Sequence, residues 1–171
     1  MTALGDRPMS RAVLSIGSNL GDRLATLQGA VDAFAPWLVT VSPVYETPPW
    51  GPVPQGDYLN AVLIVADPGA APRDWLDRAH AAEQAAGRTR DVRWGPRTLD
   101  VDVVDVDGLV SEDPTLTLPH PRAAERAFVL VPWADADPAA VLGGRPVVEL
   151  VTALDAEERA AVRQVTERLH A

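Results

Sequence analysis

Four arginines, Arg88, Arg90, Arg93 and Arg97, lie within ten residues, and two carboxylates, Asp100 and Asp102, follow at once. Guanidinium groups crowded this closely repel one another unless anions compensate them. Arg matches phosphate oxygens with bidentate hydrogen bonds, so a triphosphate is a suitable partner. Asp100 and Asp102 are two residues apart, and on a strand they project from the same face. Neighbouring carboxylates also repel unless a cation sits between them. Hard oxygen ligands suit Mg²⁺, which keeps waters and adds phosphate oxygens. A lone D-x-D more often decorates a solvated sheet face, and a charge run is more often a solvated cluster. Here the cationic run leads straight into the anionic pair. Together they would grip a metal–triphosphate complex at both poles. Asp105, three positions past Asp102, faces away if the strand is regular and is left out of this site.

A second group lies upstream. Residues 47–56 hold four prolines and two glycines, and Tyr58-Leu59-Asn60 follows. Prolines stiffen a loop and donate no backbone hydrogen bonds. Rigid backbone beside a pocket can read the edge of a flat heterocycle. Tyr58 and Asn60 share one strand face, one offering a ring and the other a donor with an acceptor. They could equally be a core tyrosine and a turn asparagine, and both readings stand on these residues alone.

Composition narrows the class. The chain has 171 residues, a length that fits one domain with a real core. The formal net charge is -9, which counts against tracking a nucleic-acid backbone. All 15 basic residues are Arg, so a P-loop lysine is impossible, and IGSNLG lacks the ending of a phosphate loop. The absence of Cys excludes disulfides, thiolate metal sites and Cys nucleophiles. No signal-peptide core or bilayer-spanning run is present, so a cytoplasmic, membrane-free protein is expected.

The elements that must position these groups can be read in order. Residues 1–10 read as a flexible tail and 11–171 as one domain. Arg11 to Ile16 is a short apolar strand. Gly21 and Asp22 open a helix with Leu24, Leu27, Val31 and Phe34 on one face, ended by Pro36. Val39 to Tyr45 reads as a strand in which Pro43 argues for an edge or bulge. Tyr58 to Ala66 is a third strand. Pro72 and Gly87 bound a second helix. Leu99 to Val106 is a fourth strand, with Asp107-Gly108 as a hairpin turn. Asp155 and Glu158 resemble a capping box that starts a last helix with Val162, Val165 and Leu169 inside. The order β-α-β-β-α-β predicts an α+β, ferredoxin-like antiparallel sheet with helices on one face, plus an extra hairpin and a C-terminal helix.

The chain resembles the 6-hydroxymethyl-7,8-dihydropterin pyrophosphokinases of folate biosynthesis. The resemblance runs from about Ala12 to Pro132 through IGSNLGDR, YETPPWGP, DYLNA, GRxR, RWGPRTLDVD, LPHPR and RAFVLxP, in family order. RWGPRTLDVD is the most specific of these. The resemblance implies pyrophosphoryl transfer from MgATP to the pterin hydroxymethyl group, with AMP released. It implies that Asp100 and Asp102 hold two Mg²⁺ ions. It places Arg88, Arg90 and Arg97 on phosphates, the first two on a mobile catalytic loop that Trp94 anchors. Glu83, Thr117, His120 and Arg126 would line the nucleotide side, with Val103 near adenine. The pterin would lie between Tyr58 and Phe128, with Asn60 and the backbone of Thr47, Pro48 and Trp50 on its edge. His80 stands where some relatives carry Gln, and Thr115 where an Arg can occur. The loop between Arg90 and Arg93 is one residue shorter than some versions. Gly17 and Gly21 would serve tight turns and close backbone approach to the pterin pocket.

No general base is singled out. Asp100 or Asp102 could orient the hydroxyl proton, and an alkoxide-like oxygen on the metal would serve as well. A monomer is expected, with ATP and the pterin as small-molecule partners and no nucleic acid or membrane. Two other classes compete. A small-molecule regulatory module fits the strand order but has no need of paired Asp beside four Arg. A nucleotide-sugar glycosyltransferase could use a D-x-D site, but the chain is short and lacks an acceptor domain.

Overall fold

The computed structural model describes residues 9–49, 52–87 and 98–171. Strand β1 (Met9–Ser18) begins two residues before the expected start, inside the segment read as a tail. It is followed by helix α1 (Arg23–Phe34), β2 (Leu38–Val41), β3 (Tyr45–Thr47), β4 (Tyr58–Pro68), α2 (Pro72–Ala85) and β5 (Asp100–Val106). The single strand expected over 39–45 is two short ones. The break includes Pro43, which cannot donate to a ladder, and Ser42 Oγ there accepts from Val62 N at 2.8 Å.

The main sheet runs β5-β1-β4-β3, with β2 also on β4, and the named pairs are antiparallel. The two β-α-β units interleave: β4 lies between β1 and β2, and β1 lies between β4 and β5. Helices α1 and α2 form where the sequence signals them. Asp22 Oδ1 accepts from Ala25 N at 3.1 Å and caps α1. Pro72 opens α2, and Gly87, at φ 73°, follows its end in the left-handed region that glycine reaches without strain.

Strand alternation sends Ala12, Leu14 and Ile16 to one face, where Leu27, Val31 and Phe34 of α1 and Trp75 and Ala79 of α2 cover them. Trp75 is fully buried and donates Nε1–H to Ser10 Oγ at 2.9 Å. The opposite face is also partly covered, which differs from a sheet with helices on one side only. Val13, Val62 and Val104 pack against Val129, Leu130 and Trp133 of α3 (Ala127–Ala136) and Val147 and Leu150 of α4 (Val147–Ala153). Two-sided covering explains why β1 and β4 are almost continuously apolar.

Three further details depart from expectation. Asp107 and Gly108 adopt φ 53° and 68°, as a tight turn needs. The chain beyond them makes only an isolated bridge, Ser111 with Leu118, and the extra hairpin is β6 (Val141–Leu142) with β7 (Arg145–Pro146). The last helix, α5 (Ala156–Ala161), is only six residues long. The chain then forms β8 (Arg163–Gln164) on the free edge of β3, where backbone hydrogen bonds replace those of a longer helix. Val165 and Leu169 still pack on the main core, but from extended chain. No helix among the described residues is long and apolar enough to cross a membrane.

Candidate active site

The half-open end of the second sheet face gathers the polar residues. Gly17 on β1 pairs with Asp100 on β5 and with Asn60 on β4, and Asn60 pairs with Tyr45 on β3. Side chains directly opposite one another share a face, so Asp100 and Asn60 lie on the same face with only a glycine between them. Adjacent strands are about 4.8 Å apart, which puts their backbones about 10 Å from each other. Two residues along, Asp102 stands opposite Ser15, again on this face. At the other side of the sheet Tyr58 pairs with Thr47.

Gly17 is required by the close approach. A Cβ there would meet Asn60 Oδ1 at 3.0 Å and Tyr58 Cδ1 at 3.4 Å. Asn60 is buried, and its Nδ2–H donates to Thr47 Oγ1 at 2.6 Å, which fixes the amide between β4 and β3. Tyr58 is half-buried. Asn19, just past β1, donates to Gln55 Oε1 at 2.7 Å and to Gly56 O at 3.1 Å, holding the chain before β4.

The segment before α3 brings a cation over the carboxylates. Arg126 Nη1 lies 3.6 Å from Asp102 Oδ2, and the Arg126 guanidinium sits 5.4 Å from the centre of the Phe128 ring. Arg126 Nε is buried and has no hydrogen-bond partner among the described residues. A long ion pair with an unsatisfied donor leaves this guanidinium with hydrogen-bonding capacity that the described residues do not use. Phe128 is half-buried against the second core cluster. His120 is placed by its backbone N–H, which donates to Val104 O at 2.8 Å, and its Nδ1 accepts from Arg122 N at 3.2 Å. Burial, aided by the Arg126 charge, lowers its pKa to about 4, against the opposing pull of Asp100. At neutral pH the ring is uncharged and can hydrogen-bond without adding charge.

Thus Asp100, Asp102, His120, Arg126, Phe128, Tyr58, Asn60 and Thr47 belong to one sheet face. Others lie elsewhere. Val103 is buried in the main core on the opposite face. Glu83 on α2 is also buried there, and its Oε2 accepts from Val101 N at 3.2 Å. It therefore caps the outer edge of β5. Thr117 bonds Asp113 O at 3.0 Å in the loop before His120, and Pro48 is exposed just past β3. His80 is exposed on α2, and Thr115 accepts from Arg73 Nη2 at 2.9 Å. Arg88, Arg90, Arg93, Trp94, Arg97 and Trp50 lie outside the described residues.

Asp105 is a correction. The pairing of β1 with β5 shifts between Val13 and Leu14, leaving Val104 without a partner. This bulge returns the side chain after it to the face it would otherwise leave. Asp105 therefore lines a cavity of about 230 Å³ with Val13 and Ile64, on the face of Asp102. It still stands apart from the pair. Its carboxylate accepts from Gly108 N at 3.2 Å, and burial raises its pKa. Ser15, between Asp102 and Val62, is a site neighbour that a bare apolar run does not signal. Among the described residues no three His, Cys, Asp or Glu side chains cluster as metal ligands. Two carboxylates on one strand face are a donor set that fits Mg²⁺, which keeps waters and takes phosphate oxygens, rather than a metal needing a full protein cage.

Comparisons with known proteins identify the family. Residues 13–138 match the model of the family described as 7,8-dihydro-6-hydroxymethylpterin-pyrophosphokinase. A protein of Mycobacterium tuberculosis named 2-amino-4-hydroxy-6-hydroxymethyldihydropteridine pyrophosphokinase is 50% identical over 168 residues, covering 91% of this chain and 89% of its own length. One of the same name from Methylorubrum extorquens is 44% identical, covering 86% and 95%. Among solved structures, a Plasmodium falciparum HPPK-DHPS chain crystallised with pteroate superposes with a TM-score of 0.67 at 14% identity. That match covers 86% of this chain but 43% of the solved one, and at that identity it speaks to the fold alone.

Proposed function

The chain belongs to the 7,8-dihydro-6-hydroxymethylpterin-pyrophosphokinase family, and we propose, on that premise, how its residues transfer pyrophosphate from ATP to the hydroxymethyl group of the pterin in folate biosynthesis. The observation that carries the reading is the crossing at Gly17. The buried Asn60 amide and the Asp100 and Asp102 carboxylates share one sheet face there, which supports the reading.

In this reading the pterin lies between Tyr58 and Phe128. Asn60, held by Thr47, and the backbone of Thr47, Pro48 and Trp50 read its edge. The hydroxymethyl group then points across Gly17 toward Asp100. Asp100 and Asp102 would hold Mg²⁺, two ions here, which neutralises charge on the phosphates when bound. Arg126, Arg88, Arg90 and Arg97 bind phosphate oxygens, and neutral His120 and Thr117 complete the nucleotide side with Trp94. Glu83 and Val103 act beneath the site by fixing β5, the strand that carries both carboxylates. The hydroxymethyl oxygen attacks the β-phosphorus, the bond to the α-phosphate oxygen breaks, and AMP leaves. Catalysis of this kind is largely alignment and charge neutralisation. The enzyme acts as a cytoplasmic monomer in this reading.

The test is AMP formation from MgATP and 6-hydroxymethyl-7,8-dihydropterin, with pterin-free and EDTA controls. AMP that needs both pterin and metal supports the reading, and ADP would move the attack to another phosphorus. Asp100→Ala should abolish turnover and weaken Mg-dependent nucleotide binding. Full activity in that variant would overturn the metal assignment.

A further inference from the structure

Strand β3 is only three residues long, yet it carries Thr47 and opens the residues that frame the proposed pterin edge. Its ladder to β4 has three registered pairs. The connection that follows, residues 48–57, has four prolines and so few backbone donors with which to hold itself. A short ladder and a donor-poor connection fix their ends weakly. Asn19 holds Gln55 and Gly56 within the connection, and other side chains can tie its two ends to each other.

Side chains on the main-core face of the sheet do so. Arg23, the first residue of α1, donates through Nη1 to Glu46 Oε2 at 2.8 Å and to Asp57 O at 2.9 Å. Glu46 lies on β3 just before the connection and Asp57 is its last residue, so one guanidinium holds both ends. Arg163 of β8 approaches from the other side. Its Nη2 donates to Glu46 Oε1 at 3.1 Å and lies 3.7 Å from Asp57 Oδ2. Each oxygen of Glu46 therefore has its own arginine. Arg163 is delivered there because β8 pairs with β3 (Glu46 with Arg163, Tyr45 with Gln164), and Val165 N donates to Val44 O at 3.0 Å. The chain end is anchored further on by Gln28, which exchanges two hydrogen bonds with the His170 backbone at 2.7 and 2.9 Å.

We propose that Arg23, assisted by Arg163 from the C-terminal arm, clamps Glu46 to Asp57 and thereby positions the pterin-binding edge. Arg23 and Arg163 are positioning residues: they act through β3 and touch no substrate. The inference rests on the placement of the pterin beside Thr47 and Asn60. It gives the C-terminal residues a part in substrate affinity although they lie on the opposite face of the sheet. Arg23 is one-third exposed and Arg163 well over half, so Arg23 is the stronger arm.

The experiment compares wild type with Arg23→Gln and Glu46→Gln, each checked for a folded melting transition. Equilibrium titrations give separate dissociation constants for 6-hydroxymethyl-7,8-dihydropterin and for MgATP. Hydrogen exchange is followed at the amides of residues 53–57 without ligand. The expected result for Arg23→Gln is pterin affinity weakened about fivefold, MgATP affinity within twofold of wild type and faster exchange at 53–57. Arg23→Lys should recover part of the affinity. The double variant should bind pterin no worse than the weaker single variant, because both break one link. A lower melting temperature with unchanged pterin affinity, or single effects that simply add, would overturn the clamp. Asn60→Ala separates the two ideas: unchanged pterin affinity there sinks the pterin placement, whereas unchanged exchange at 53–57 in Arg23→Gln sinks the clamp itself.

Discussion

Replacing Gly17 by Ala adds one methyl group where the pterin and phosphate halves of the site meet. The new Cβ would stand 3.0 Å from Asn60 Oδ1 and 3.4 Å from Tyr58 Cδ1. The first contact is short by a few tenths of an ångström, so Asn60 must move. It is buried, and its amide is tied to Thr47 Oγ1 at 2.6 Å, so it cannot move without straining that bond or its own rotamer. A lost neutral hydrogen bond costs about 1 kcal/mol and an off-rotamer side chain about another 0.5–1.5. If half to all of this falls on the pterin-competent state, affinity drops by about 0.8–2.5 kcal/mol, or roughly 4- to 70-fold. The assay is a fluorescence titration with the dihydropterin beside a separate MgATP titration and a thermal melt. The pterin constant should rise while the MgATP constant stays within about twofold, since the contacts of the new methyl are with β4. Pterin affinity within twofold of wild type in a folded Gly17→Ala protein would refute the argument that this glycine exists to let Asn60 approach.

Three more outcomes follow from the same geometry. Glu83→Ala removes the acceptor of the buried Val101 N–H, and should lower stability by about 1–3 kcal/mol in urea unfolding, whereas Glu83→Gln keeps an acceptor and should lose less. His120 has a folded pKa of about 4, below its ordinary 6.5, so between those values the unfolded chain binds more protons. Stability should therefore fall as pH drops through that window. After discounting for partial exposure the His120 share is about 1–2 kcal/mol, read as a flatter pH profile in nucleotide-free His120→Asn. Arg126→Gln keeps hydrogen-bond donors but loses the cation beside Asp102, and should weaken MgATP binding by about tenfold while leaving pterin affinity within twofold. Equal loss for both ligands would count against its place on the nucleotide side.

Much was legible in the order of residues alone. Charge spacing marked Asp100 and Asp102, because a period of two holds in any strand and both do share a face. Helix α1 followed from Asp22 and the apolar stripe ending at Phe34, and α2 from Pro72 and Gly87, since caps and periodicity are local physics. The family motifs supplied the remaining candidate site residues, and the absence of Lys and Cys removed whole classes of chemistry. What local pattern cannot carry is which distant segments meet. The bulge at Val104 that turns Asp105 to the site face depends on pairing with β1, not on the Asp-Val alternation. The diversion of the last helix into β8 depends on a free edge at β3 more than a hundred residues earlier. Val103 and Glu83 match family positions, yet their side chains sit under the sheet, because alternation along β5 sends Val103 inward and packing of α2 sends Glu83 to that strand's edge. The neutral state of His120 and the pairing of Arg23 with both Glu46 and Asp57 arise from burial and proximity, which come into being only when the sheet has formed.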